Sequence, residues 1–139
     1  MANPFQLSEA STIAIHSMIL IANSGSPVNA NQIAERSGTS RHHVSKVLQQ
    51  LSKNGLIRSY RGPAGGFLLN EKPEKISLLE VFESIEGKIR DPECPLEDKI
   101  CPYDKCFLNG IISRMTKDFR KYLANELLDK YIIKKEDRK

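Results

Sequence analysis

Two short capped helices joined by a glycine turn, a hairpin directly after them, and a long apolar stripe near the C-terminus together predict a mainly α fold with a small β-hairpin. The architecture is a winged helix-turn-helix joined to a long C-terminal helix. The chain has 139 residues, enough for one domain with an appendage. Its composition, 40% hydrophobic and 27% charged, is that of a chain that folds around a core, which excludes wholesale disorder.

The elements follow in order. Ser8 is placed to cap a first helix over residues 8–23, with Glu9 in its first turn, where the helix dipole favours an acid. Ile13, Ala14, Ile15, Met18, Ile19, Ile21 and Ala22 make this helix apolar on most sides, so it should be largely buried. Gly25, Ser26 and Pro27 break the chain. Asn29 with Gln32 three residues on is a capping-box pattern, and it opens a short helix through Ile33, Ala34 and Arg36. Gly38 sits where a helix-terminating glycine belongs. Thr39 or Ser40 then caps a second helix, whose Val44, Val47, Leu48 and Leu51 fall on one face before Asn54 and Gly55 end it.

Residues 56–61 read as a strand, 62–66 as a turn and 67–69 as the return strand. Ser77 and Glu80 form a further capping-box pattern, opening a helix through Val81, Phe82 and Ile85 to Gly87. From residue 88 to 105 periodicity is lost, and Pro92, Pro95 and Pro102 interrupt the chain. Leu108, Ile111, Ile112, Met115, Phe119, Tyr122, Leu123, Leu127, Leu128 and Tyr131 then form one amphipathic stripe. A helix of about 24 residues would run about 36 Å, beyond the reach of a small winged domain. Its spare face is expected to meet the same helix of a second subunit in a homodimer. Packing against the first helix of the same chain is the other expectation. These readings divide the chain into residues 1–75, a winged DNA-binding unit; 76–107, a short helix and cysteine-bearing loop; and 108–139, a dimerisation helix and charged tail.

Charge placement points to a partner. Residues 1–70 carry six Lys or Arg (Arg36, Arg41, Lys46, Lys53, Arg58, Arg61) against Glu9 and Glu35, which accounts for the whole formal charge of +4. The remainder balances at fifteen of each sign. A basic half joined to a neutral half is the asymmetry of a module that meets double-stranded DNA. Arg58 falls at the base of the hairpin and Arg61 near its tip, while Gly65 and Gly66 let the backbone approach a phosphate or groove closely. The apolar run at 13–22 is too short for a membrane span and contains His16 and Ser17. The start lacks the basic region of an export signal, so the cytoplasm is the expected compartment.

Cys94, Cys101 and Cys106 fall within 13 residues, spaced C-x6-C-x4-C, in the proline-interrupted segment. Structural zinc sites usually show a short C-x2-C pair, and none occurs here. Three thiolates at wider spacing suit an iron–sulfur cluster better. Zinc, redox-active thiols and inert cysteines remain as alternatives.

The run SGTSRHHVSKVLQQLSKNGLIRSYRGPAGGFLL, the following ISLLEVFESIEG and the three-cysteine loop resemble the IscR/NsrR family of dimeric bacterial winged-helix transcription regulators. The resemblance covers roughly residues 7–128, and KNGLIRSYRGPAGGFLL is its most specific part. It implies that Ser40, Arg41, His42, Ser45 and Lys46 read the major groove and that Arg61 reaches the minor groove from the wing. It also implies that the three cysteines ligate an iron–sulfur cluster, with [2Fe–2S] and [4Fe–4S] both open. Asn109 stands where the iron–sulfur-homeostasis members have a histidine. Thr12 stands where the nitric-oxide-sensing members lend an aspartate across the dimer. His16 lies one turn later, and His42 and His43 are assigned to the DNA side, so His16 of the partner subunit is the expected fourth ligand. The other reading of His16 is an imidazole packed on its helix and hydrogen-bonded to backbone. Nearby acids (Glu93, Glu97, Asp98, Asp104) are further candidates.

The function so read is a transcription regulator, a repressor, tuned by an iron–sulfur cluster that senses redox state, nitric oxide or iron–sulfur status, and not an enzyme. An electron carrier or enzyme is the rival from another class. The chain offers no nucleophile–base pair or nucleotide motif to support it, and the basic half would go unexplained.

Overall fold

The computed structural model describes residues 1–90 and 107–134. The order is α1 (Glu9–Asn23), α2 (Ala30–Ser37), α3 (Arg41–Lys53), β1 (Ile57–Tyr60), β2 (Gly66–Leu69), α4 (Leu78–Glu86) and α5 (Ile111–Asn125). Short 3-10 turns lie at Pro73–Lys75 and Leu128–Tyr131. Among the described residues no helix is long and apolar enough to cross a membrane.

Local chemistry sets the boundaries. Ser8 caps α1 by accepting the Ser11 N–H, and Asn29 and Gln32 complete a reciprocal capping box on α2. Gly38 ends α2 in the left-handed region at φ 67°, where a Cβ would be strained. Ser40, not Thr39, caps α3 through the His43 N–H, and Ser77 caps α4 through that of Glu80. Val44, Val47, Leu48 and Leu51 bury one face of α3 against Ile13, Ala14, Met18 and Ile21 of α1. Ile76, Leu78 and Val81 join the same core, as do Leu123 and Leu128 from the C-terminal part.

The hairpin pairs Ile57 with Leu69, Arg58 with Leu68, Ser59 with Phe67 and Tyr60 with Gly66. A single residue from the α1–α2 connection, Val28, adds a third rung by exchanging both backbone bonds with Phe67, at 3.1 and 2.8 Å. Phe67 and Leu69 pack on the core, so the opposite face of the hairpin is left to Arg58, Tyr60 and Leu68.

The C-terminal helix differs from the expectation. It spans 15 residues rather than about 24, a length of about 22 Å. At Glu126 the backbone turns extended, and Leu127 bridges Ser77, with Leu78 N–H bonded to the Glu126 carbonyl (2.8 Å) and Leu128 N–H to the Ile76 carbonyl (2.9 Å). Leu128 is then fully buried in its own chain. Asn23 holds the segment after it, donating to the Tyr131 carbonyl and accepting the Ile133 N–H. The apolar stripe therefore serves two elements. A straight helix would carry Leu128 away from this core, while the bend lets it fill the space under α1.

Candidate nucleic-acid interface

The helix-turn-helix is α2 and α3, and its turn is Gly38–Thr39–Ser40. With the apolar face of α3 committed to the core, Arg41, His42 and Lys46 are exposed and Ser45 is half-buried. Arg41, Ser45 and Gln49 fall at intervals of four and share one side of the helix with Lys46. Gln49 is exposed and was not among the expected readers, although the spacing of four from Ser45 marks it. Its amide suits the donor–acceptor edge of adenine. The Ser40 hydroxyl is already the cap acceptor for the His43 N–H at 3.2 Å, which leaves its O–H free to donate.

His43 departs from expectation. It is half-buried, and its Nδ1 lies 3.6 Å from the Glu9 carboxylate at the start of α1, so it faces its own chain rather than DNA. It sits three residues past the cap, and at that position a side chain turns back toward the neighbouring helix.

On the wing, Arg58 and Tyr60 alternate onto the outer face of β1, with the guanidinium 5.5 Å from the ring centroid. The ring stands beside Gly66, which has no side chain to crowd it. Tyr60 was not anticipated as part of this surface. The R-x-Y alternation is the signal that places it there. Arg61 is exposed at the start of the turn. The two wing glycines answer to the protein's own backbone. A Cβ at Gly65 would lie 2.3 Å from the Tyr60 carbonyl oxygen, and one at Gly66 would lie 2.6 Å from the Val28 carbonyl carbon. Close approach is real at both, and its first cause is the turn and the Val28 rung. Among the described residues, none of the six basic side chains of residues 1–70 is ion-paired, and all six are exposed. A cationic surface so left open attracts polyanions.

Of the four expected metal ligands, His16 alone lies among the described residues. Cys94, Cys101 and Cys106 lie outside the described residues. Among those described, no group of three or more His, Cys, Asp or Glu could hold a metal. His16 is exposed on α1, beside Ile19, Arg36 and Ile133 at the rim of a cavity of about 240 Å³. It has no hydrogen-bond partner among the described residues, unlike the backbone-bonded imidazole of the alternative reading. Asn109 takes a left-handed backbone at φ 47° just before Gly110, at φ 72°, and the two lead into α5.

A second surface lies on α5. Ile112, Met115 and Phe119 line a largely apolar groove of about 510 Å³ with Phe5, Phe82 and Ile89. Phe82 and Phe119 meet edge to face at 5.4 Å.

A recognition helix with its polar side free, beside a basic wing, defines the class: a winged helix-turn-helix transcription regulator. The iron-dependent transcriptional regulator family Rrf2 matches residues 7–132, and the chain belongs to that family. It is 28% identical over 110 residues to the HTH-type transcriptional regulator IscR of Pectobacterium atrosepticum, covering 79% of this chain and 67% of that one. Its fold is similar to CymR, the global cysteine regulator of B. subtilis, with a TM-score of 0.76 at 24% identity over 90% of this chain and 94% of that one. It is also similar to the oxidized form of Staphylococcus aureus CymR, with a TM-score of 0.70 at 25% identity over 89% and 93%. These relatives are regulators, and the chain is not an enzyme.

Proposed function

We propose that this regulator acts in the cytoplasm as a homodimeric repressor on palindromic duplex DNA, and that an iron–sulfur cluster sets its occupancy. The observation that carries the DNA reading is the unpaired cationic side of α3 and the wing, set on the same module. Arg41, His42, Ser45 and Lys46 read base edges from α3, with Ser40 donating at its start. Arg61 anchors the wing, and the turn at Gly65 and Gly66 lies against the backbone.

The apolar groove on α5 supports the dimer. Phe119 and Tyr122 are 36% and 58% exposed in the single chain, on a helix whose other side is already packed. A second copy of the same helix covers them best, because the two-fold arrangement also matches a palindrome.

Three thiols within 13 residues are a donor set that fits an iron–sulfur cluster. Cys94, Cys101 and Cys106 would hold it, with His16 of the partner subunit as fourth ligand. The exposed, unpartnered imidazole supports that assignment. When bound, the cluster supplies a centre that responds to redox state, nitric oxide or iron–sulfur supply. The chain's part is conformational. The cysteine segment joins α4 to α5, so a change in it shifts elements that pack on α1 and α3.

A second reading keeps the DNA function and uses the same cysteines as redox thiols or a zinc site. It is favoured by the likeness to a regulator solved in an oxidized form. Anaerobic purification followed by iron, sulfide and zinc analysis tests the two. Iron with acid-labile sulfide, lost when any of the three cysteines becomes serine, is the expected result. Zinc alone, or no metal, overturns the cluster. His16→Ala should keep the dimer and lose or destabilise the cluster, and an unchanged absorption spectrum assigns the fourth ligand elsewhere.

A further inference from the structure

The start of α1 makes two connections that the DNA-facing side chains do not use. On one side, the hydroxyls of Ser8 and Ser11 both donate to Oε1 of Glu86, that of Ser11 at 2.6 Å. Glu86 is the last residue of α4, the helix from which the chain departs toward the cysteines. That departure is itself held. The Glu83 carboxylate accepts the Ile89 N–H at 2.8 Å, and the Arg120 guanidinium donates to the Ile89 carbonyl at 2.6 Å. On the other side, the Glu9 carboxylate faces Nδ1 of His43 in the first turn of α3. Ser8 and Glu9 are consecutive, so α4 is bonded to the first turn of α1 and α3 meets it at the adjacent residue.

The charges suit the place. Both carboxylates stand at the positive end of the α1 dipole, and the hydroxyls of Ser11 and Ser8 hold Glu86 below its usual carboxylate range. A loose surface contact would not converge three elements through a helix cap.

We propose that the first turn of α1 is a positioning joint: Glu86, Ser8 and Ser11 on one side and Glu9 and His43 on the other set the start of the recognition helix relative to the end of α4. These are positioning residues, which act through Arg41, His42 and Lys46. The inference rests on the reading of α3 as the DNA-facing helix.

The sign of the effect is diagnostic. Removing an acid near a DNA-facing helix should, on charge alone, tighten binding. The joint requires the opposite. Exposed polar contacts are weak, so each break should weaken affinity only about fourfold. Glu86 and His43 share no bond, and independent sites would multiply to about sixteenfold. In a joint, once one link is cut the other transmits nothing.

The test uses the full chain and a duplex that the wild type selects from a random-sequence pool. Glu86→Ala, His43→Ala and Glu9→Ala should each weaken binding about fourfold, and Glu86→Ala with His43→Ala should weaken it about fourfold as well. Glu86→Gln keeps the acceptor and should stay within about twofold of wild type. Tighter binding by Glu9→Ala, or a multiplicative double variant, overturns the joint. If the wild type selects no duplex, the DNA reading fails and the joint is judged by hydrogen exchange at the amides of residues 42–46. Glu86→Ala must then accelerate that exchange and Glu86→Gln must not; exchange equal to wild type in Glu86→Ala overturns the joint.

Discussion

Lys46 and Lys53 show what a single position decides. They are seven residues apart on α3, so they lie on nearly the same side of the helix, with Lys53 about 10.5 Å further along the axis. Base edges are met by the N-terminal part of a recognition helix. Lys46→Ala should therefore relax sequence preference by roughly 1–3 kcal/mol at one base pair, while Lys53→Ala leaves preference intact. Competition binding with single-base variants of the selected duplex measures this, and equal loss for both lysines refutes it. A second residue-scale device is Glu126, which accepts from Tyr131 Oη at 2.7 Å and Lys130 Nζ at 2.9 Å. The bonds from Tyr131 and then Lys130 hold its carboxyl below the usual 4.5. Because the folded value is the lower one, the stabilisation is complete above pH 4.5 and is lost as pH falls through the folded value. The same bonds raise Tyr131 above 10.0 and Lys130 above 10.5, so their contributions hold up to those values and fade at higher pH. The difference in melting temperature between wild type and Tyr131→Phe should be flat from about pH 5 to 9 and narrow in stronger acid.

At the scale of elements, the apolar stripe of residues 108–131 was legible as a pattern, but its division was not. Periodicity reports which residues avoid water, and it does not say whose surface they meet. Leu123 and Leu128 are buried in their own chain, whereas Ile112, Met115 and Phe119 line the open groove. The two halves should fail differently. Leu128→Ala should cost about 2–5 kcal/mol of stability. This cost comes from the chain's own core, and its size should show in chemical denaturation. Ile112→Asp places a charge on the groove and should yield monomer or insoluble protein with loss of palindrome binding. Sedimentation showing an intact Ile112→Asp dimer would put the seam elsewhere.

For the whole molecule, the distribution of charge matters more than its sum. The excess of residues 1–70 lies on exposed side chains, so DNA affinity should fall steeply with salt. Arg61→Ala removes one phosphate-region cation per subunit. In a dimer it should lower the slope of log affinity against log salt by about 1.8. An unchanged slope would remove Arg61 from the interface. The proposed dimer also carries a geometric expectation, since paired recognition helices would address half-sites about 34 Å apart or a multiple of that spacing.

Much of the fold follows from local rules that operate within a few residues. Ser8, Asn29 and Ser77 cap the helices they were expected to cap, Ser40 is the one of the two expected residues that caps α3, and Gly38 ends α2. Each such choice depends on one side chain meeting one nearby backbone group. The apolar face of α3 and the basic excess of residues 1–70 were equally legible, because both are properties of pattern and count. Tertiary structure alone decided the remainder. It turned His43 from DNA to Glu9, and it made the Gly65 and Gly66 backbones answer to Tyr60 and Val28. It also bent the C-terminal stripe at Glu126 so that Leu128 fills the core beneath α1. It joined Glu86 to Ser8 and Ser11 across more than seventy residues of chain. These contacts lie between residues far apart in sequence, and no local propensity encodes them. They form because the packed core brings the start of α1, the start of α3 and the end of α4 together, within reach of one another's polar side chains.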